Sequence, residues 1–263
     1  MTDPAQQDDA ARRAEDRLAA SFGYQEIDPA DKAGLVRGVF DRVARRYDLM
    51  NDLMSGGVHR LWKESLVDWL APRRDMRVID VAGGTGDVAL RIRRRLAGGA
   101  GEVIVCDINP DMLAVGRDRA LDEGAVAGVR WVCGDAEALP FPDRAFDAYT
   151  IAFGIRNVTR VDRALAEARR VLRPGGRLLC LEFSSVVLPP LEAAYDLYSF
   201  AVVPQIGRLV AGDADAYRYL VESIRRFPDQ DTFARIIADA GLSRVRYRNL
   251  TGGVAAIHSA WRL

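Results

Sequence analysis

The stretch Asp80-Val81-Ala82-Gly83-Gly84-Thr85-Gly86-Asp87 joins a short apolar run to a helix-like one. The next apolar run closes on Asp107, 21 residues after Gly86. Glycines let a backbone turn sharply and approach a ligand without interference from a Cβ. In open parallel sheets ligands sit beyond the carboxyl ends of the strands, and an acidic residue at this spacing accepts hydrogen bonds from both hydroxyls of a ribose. A third carboxylate, Asp135 in Gly134-Asp135-Ala136, follows the run after that, where it can accept from the amino group of an adenine. The chemistry written into these residues is recognition of a nucleoside.

Two nucleoside ligands compete for this loop. Gly84-x-Gly86-x-x-Ala89 fits the dinucleotide fingerprint, which would lay a doubly negative pyrophosphate at the start of the following helix. Asp80 and Asp87 flank that spot, and each like-charge contact near 4 Å costs about 1–4 kcal/mol. S-adenosylmethionine brings an ammonium and a sulfonium instead, so acidic walls favour it. Strand-end and helix-start capping remain open as structural roles for Asp80 and Asp87.

The elements that hold these residues follow from rhythm. Val78–Val81, Val103–Cys106, Val129–Cys133, Ala148–Phe153 and Leu178–Phe183 are short apolar runs. Helical patterns lie between them at Val88–Leu96, Met112–Asp122 and Ala164–Leu172. Alternating β and α elements with doubly apolar strands predict a parallel sheet covered by helices on both faces. Val245–Leu250 and Val254–Trp261, joined by Thr251-Gly252-Gly253, predict an antiparallel pair. The expected fold is therefore α/β: an open, doubly wound, mostly parallel seven-stranded sheet, Rossmann-like and of the class I S-adenosylmethionine methyltransferase kind, with the last strand reversed. Residues 1–21 read as a flexible or helical tail with little to bury. Residues 22–72 read as a helical cap, with Leu35, Val39, Val43, Leu66, Trp69 and Leu70 on its inner faces. The main domain spans 73–263, with a helical insertion at about 188–227.

Whole-chain properties narrow the class. Of 263 residues, 37 are Lys or Arg and 37 are Asp or Glu, so no net field draws the chain to nucleic acid. Cys106, Cys133 and Cys180 sit in or beside apolar runs, which predicts core thiols in a reducing compartment. With only His59 and His258, far apart, no metal site is expected. The acidic start is no secretory signal, and no run approaches the ~20 apolar residues of a membrane span. These features predict a cytoplasmic protein, either free or lying peripherally on the inner membrane face.

Two longer stretches go beyond the generic fold. Tyr47-Asp48-Leu49-Met50-Asn51-Asp52-Leu53-Met54-Ser55, with His59 and Trp62, resembles the first signature of the ubiquinone/menaquinone biosynthesis C-methyltransferase family. Arg170 to Arg177, running on through Glu182-Phe183-Ser184, resembles the second. Ala138–Asp143, Phe153–Val158, Asp213–Tyr219 and Asn249–Gly253 also look like that family, and the resemblance runs from about Phe22 onward. It implies methylation of a ring carbon on a polyprenylated quinol, with S-adenosylmethionine as co-substrate and a quinone-biosynthesis complex as a conceivable partner. On matching positions it implies cofactor contacts at Thr85, Asp107, Asp135 and Ala136, beside the loop residues Asp80, Gly84 and Gly86. The chain departs from the family at Ala152, where many relatives carry Ser, and at Arg173, usually Lys.

A reduced quinol, above all its phenolate, can attack an electrophilic methyl, whereas an oxidised ring cannot. The site must therefore hold the quinol oxygens and accept the ring proton. Arg156 and Asn157, just past the fourth strand, are the candidates to hold those oxygens; for Arg156 a plain ion pair is an equal alternative. Tyr47 and Asp48 are candidates to orient the ring or relay its proton, and His59 is a secondary candidate base. His258 reads as structural. Tyr195, Tyr198, Phe200, Tyr217 and Tyr219 either line a channel for the prenyl tail or simply pack. A nicotinamide-dependent oxidoreductase and a non-catalytic assembly subunit are the competing functions.

Overall fold

In the computed structural model, residues 4–43, 52, 55–125, 127–187 and 214–263 are described. Helix α1 (Pro4–Ala19) leads into a two-residue hairpin, β1 (Ser21–Phe22) and β2 (Gln25–Glu26), and then α2 (Pro29–Val43) and α3 (His59–Leu70). The sheet region runs β3 (Arg77–Val81), α4 (Asp87–Arg95), β4 (Glu102–Asp107), α5 (Pro110–Asp122), β5 (Val129–Cys133), β6 (Phe146–Ala152), α6 (Val161–Val171) and β7 (Leu172–Phe183). Helices α7 (Ala214–Arg226) and α8 (Gln230–Asp239) precede β8 (Ser243–Leu250) and β9 (Ala255–Trp261).

The seven long strands form one sheet in the order β5-β4-β3-β6-β7-β9-β8. All neighbours from β5 to β7 pair in parallel, and β9 runs antiparallel to both β7 and β8. The expected reversal of the last strand is present, and β9 sits inside the sheet between β7 and β8. Alternation along the strands splits the core in two. Val78, Val103, Val105, Ala148 and Leu179 face α3, α4 and α7. Ile79, Ile104, Tyr149, Ile151 and Cys180 face α1, α6 and α8. Each fully buried aliphatic side chain contributes about 1.5–3 kcal/mol.

Local chemistry sets the element ends. Asn109 caps α5 by accepting from the Asp111 and Met112 N–H groups, with Pro110 in the first turn. At Arg173-Pro174-Gly175-Gly176 the chain bulges: Phe146 pairs with Leu172, but Ala148 pairs with Arg177. Asp147 fastens that corner, accepting the Arg77 N–H at 2.7 Å and pairing with Arg173.

Three expectations need correction. The first segment does bury a face: Ala11, Ala14 and Leu18 on α1 enter the core with α6 and α8. On α2 the inner face carries Lys32, Val36 and Val39, while Leu35 is 42% exposed. The Lys32 ammonium is tolerated there because the carbonyls of Leu18 (2.5 Å) and Val158 (3.2 Å) accept from it. Cys133, expected in the core, is exposed because β5 is an edge strand.

Candidate active site

Strands β3, β4 and β6 end side by side, and their last residues build the site. Ala82 and Phe153, directly after β3 and β6, both adopt left-handed backbone (φ 48° and 57°). Such conformations cost about 1–3 kcal/mol in non-glycine residues and concentrate at ligand sites. Gly86 has φ 77°, and a Cβ there would lie 2.4 Å from the Trp131 ring. Only glycine lets the loop pass beneath that indole into α4.

An open cleft lies over this edge. Gly84, Asp107, Asp135 and Ala136 line it from the sheet side, and Val36 and Phe40 of α2 form the opposite wall. Asp107 accepts from the N–H groups of Gly84 and Asn109, each at 2.8 Å, which locks the carboxylate at the strand end. Burial pushes its pKa up while those N–H groups pull it down. Asp135 accepts from the Glu137 N–H at 2.9 Å. Asn109 also donates to Asp41 at 2.7 Å, tying α2 across the cleft.

Asp80 and Asp87 behave differently from the sequence expectation of two bare acidic walls. Asp80 shares the inward face of β3 with Val78 and is 1% exposed; its Oδ1 accepts from the Thr150 hydroxyl at 2.7 Å. Burial raises its pKa to about 7 against the opposing pull of Thr150 and Lys63. Asp87 is partly buried, yet Lys63 (2.8 Å) and Arg91 (3.0 Å) hold its pKa down to about 2. Its charge is met within the protein, so acidity facing the cleft comes from Asp107 and Asp135. Thr85 is buried on the loop between Asp80 and Asp87.

Past β6, a 3-10 turn (Ile155–Asn157) carries the two residues expected to hold a quinol oxygen. Asn157 lines the cleft, and its Oδ1 accepts from the Tyr219 hydroxyl at 2.8 Å. Arg156 is 3% exposed and donates to Glu182 on β7 at 2.7 Å and to the Phe153 carbonyl at 2.6 Å. Of its two expected roles, the ion pair is the one formed. Burial raises the Glu182 pKa, with Arg156 opposing.

His59 does not line this cleft. It is buried at the start of α3 with Nε2 2.9 Å from Asp52, and burial, then Lys63, lower its pKa. Tyr47, Asp48, Tyr195, Tyr198 and Phe200 lie outside the described residues. Tyr217 and Tyr219 are buried in the core, Tyr219 stacked on Phe22 at 4.3 Å. Sequence reasoning missed Lys63, Thr150 and Glu182 as partners of the site. The one available signal was that Lys63 stands four residues after His59, on the same helical face.

The residues present fit S-adenosylmethionine: Asp107 and Asp135 line the cleft as acceptors that would suit the hydroxyl and amino groups of a nucleoside, and Asp80 is a buried acid beneath the loop that would suit a cation. A dinucleotide sheet of the all-parallel kind would lack the reversed β9.

The ubiE/COQ5 methyltransferase family matches residues 28–262. The ubiquinone/menaquinone biosynthesis C-methyltransferase UbiE of Dinoroseobacter shibae is 60% identical over 242 residues, covering 92% of this chain and 96% of the relative. The protein of the same name from Brucella canis is 55% identical over 258 residues, covering 95% and 96%. Among solved structures, an S-adenosylmethionine-dependent methyltransferase from Thermotoga maritima superposes with a TM-score of 0.61 at 18% identity, over 87% of this chain and all of that one. One from Aquifex aeolicus gives 0.55 at 18% identity, over 81% and 97%. These last two are similar in fold alone.

Proposed function

This chain belongs to the ubiE/COQ5 methyltransferase family, and we propose that it methylates a ring carbon of a polyprenylated quinol in ubiquinone or menaquinone biosynthesis. The observation that carries this reading is the family match over residues 28–262, falling on a chain whose strand ends present carboxylates to a cleft. The nicotinamide reading loses its support with that match.

S-adenosylmethionine supplies an electrophilic methyl group when bound. Asp107 is assigned to the ribose hydroxyls, Asp135 and the Ala136 backbone to the adenine, and Gly84, Thr85 and Gly86 to the close approach of the loop. Asn157 is assigned to a quinol oxygen. Tyr219 occupies its carbonyl oxygen, which leaves the amide N–H groups as donors to a phenolate. Arg156 acts one step back, as a positioning residue: it holds the Phe153 carbonyl and so the turn that presents Asn157. Tyr47 and Asp48 are assigned to orient the ring or relay its proton, ahead of His59, which does not line the cleft. Such positioning supplies up to about 7–11 kcal/mol of a barrier.

The purified protein should methylate demethylmenaquinol under reducing conditions and fail on the oxidised ring. Equal turnover of both ring states overturns the phenolate mechanism. Donor binding without any methylation of a demethylated quinol favours the assembly-subunit reading. The family relatives carry both ubiquinone and menaquinone in their names, so a benzoquinol substrate belongs in the same assay.

A further inference from the structure

Lys32, 1% exposed on α2, donates to the carbonyl of Leu18 at the end of α1 (2.5 Å) and to that of Val158 (3.2 Å). Val158 closes the 3-10 turn that carries Asn157, and both residues line the cleft. Along α2, Ala33, Val36, Arg37 and Phe40 continue from Lys32 into the opposite wall. The lysine therefore stands at the joint where the two walls meet. At its far end α2 is tied to the β4 side of the cleft by the Asp41–Asn109 hydrogen bond.

Both acceptors of Lys32 are neutral, and burying an ammonium costs free energy that such partners offset only in part. Glu137, on the cleft lining after β5, is the carboxylate that favours its charge; burial outweighs it and pushes the pKa down to about 8. An apolar side chain would fill the same space without that cost. What it would not do is hold two carbonyls, one from α1 and one from the turn. The side chain of Asn157 is held separately: Tyr219 donates to its Oδ1, and the Tyr219 ring stacks on Phe22 of β1. The turn is thus gripped at its backbone through Leu18 and Lys32, and at its amide through Phe22 and Tyr219.

We propose that Lys32 is a positioning residue for methyl transfer, latching α2 and the end of α1 to the Val158 carbonyl and so fixing where Asn157 meets the quinol oxygen. The inference rests on the quinol-methylation reading above and adds to it a part for the N-terminal elements. Charge-assisted hydrogen bonds are about twice as strong as neutral ones, so the latch loosens as pH rises through about 8.

Steady-state methylation of demethylmenaquinol, beside calorimetry with S-adenosylhomocysteine, the demethylated donor, tests this. Lys32→Met should lower kcat by about 10- to 100-fold, since misplacement by about 1 Å costs up to about 10²-fold. The quinol KM should change little, and S-adenosylhomocysteine should bind as it does to the wild type. Lys32→Arg keeps its charge at every pH and should restore most of the activity. From pH 7 to 9 the wild type should lose kcat relative to Lys32→Arg, a dependence that a merely structural lysine would not give. An unchanged kcat in Lys32→Met, or kcat and donor affinity falling together, overturns the inference while leaving the methylation reading standing. If Lys32→Met does not fold, the wild type against Lys32→Arg decides: parallel pH profiles overturn the inference. A wild-type protein that binds S-adenosylhomocysteine and methylates no quinol overturns the reading beneath it.

Discussion

Asp80 is the residue whose charge state matters most at neutral pH. It sits at 1% exposure with a pKa raised to about 7 by burial, so near pH 7 it is divided between the neutral and charged forms. An ammonium needs the charged form. Affinity for S-adenosylhomocysteine should therefore tighten by about tenfold from pH 6 to pH 8, with one proton released on binding at the lower end. Asp80→Asn should bind weakly at every pH and lose that slope; calorimetry in buffers of differing ionisation enthalpy reads both. Burial raises the pKa of Asp107 as well, opposed by the backbone N–H groups of Asn109 and Gly84 at 2.8 Å. The sequence marks both acids by their place at strand ends. It does not mark that Asp107 is answered by two backbone N–H groups at its strand end and Asp80 by the Thr150 hydroxyl.

Among the elements, α1 is the one whose contribution the sequence understates. Leu18 is 2% exposed against the α6–α8 side of the sheet, and its carbonyl accepts from the buried Lys32. Leu18→Ala should cost about 2–5 kcal/mol, the usual range for a buried leucine, and a urea melt should register it as a lower midpoint with an unchanged slope. A variant melting like the wild type would mean that α1 is only loosely held. The strands were legible because alternation and turn chemistry act within a few residues: β5 matches its apolar run at Val129–Cys133, and β8 and β9 turn at Thr251-Gly252-Gly253. Asp107 and Asp135 were legible for the same reason. The face of α2 was not, since choosing Lys32 over Leu35 depends on carbonyls contributed by residues 14 positions before it and 126 after it. Lys63 beside Asp87 and Arg156 beside Glu182 are likewise pairings made only by the finished fold.

At the scale of the whole molecule, two buried groups tilt stability against acid in opposite directions. Asp80 has a folded pKa near 7 against an ordinary 3.8, so the native form gains stability as pH falls between those values. His258, held at its Nε2 by the Gln230 carbonyl and pushed down to about 4 by burial, does the reverse: the stability it lends above pH 6.5 drains away as pH drops toward 4. Each effect is worth about 3–5 kcal/mol at 1.36 kcal/mol per pKa unit. Relative to the wild type, His258→Gln should thus gain stability on acidification from pH 7 to 4, and Asp80→Asn should lose it, as unfolding free energies in urea across that range would record. Matching profiles for all three proteins would contradict both assignments. No helix among the described residues is long and apolar enough to cross a membrane.

The placement of β9 between β7 and β8 has a bearing on how the chain is born. Both flanking strands leave the ribosome before the one that separates them, and neither can settle against the other without closing the slot that β9 needs. Synthesis at roughly 5–20 residues per second gives them time to try. The Arg173–Gly176 bulge stands guard at that slot: the Gly175 N–H and the Gly176 carbonyl bind Arg262, just beyond β9. A nonsense codon shortly before Ala255 would leave the glycine loop, Asp107 and Asp135 intact on paper, yet deliver a sheet split down one seam.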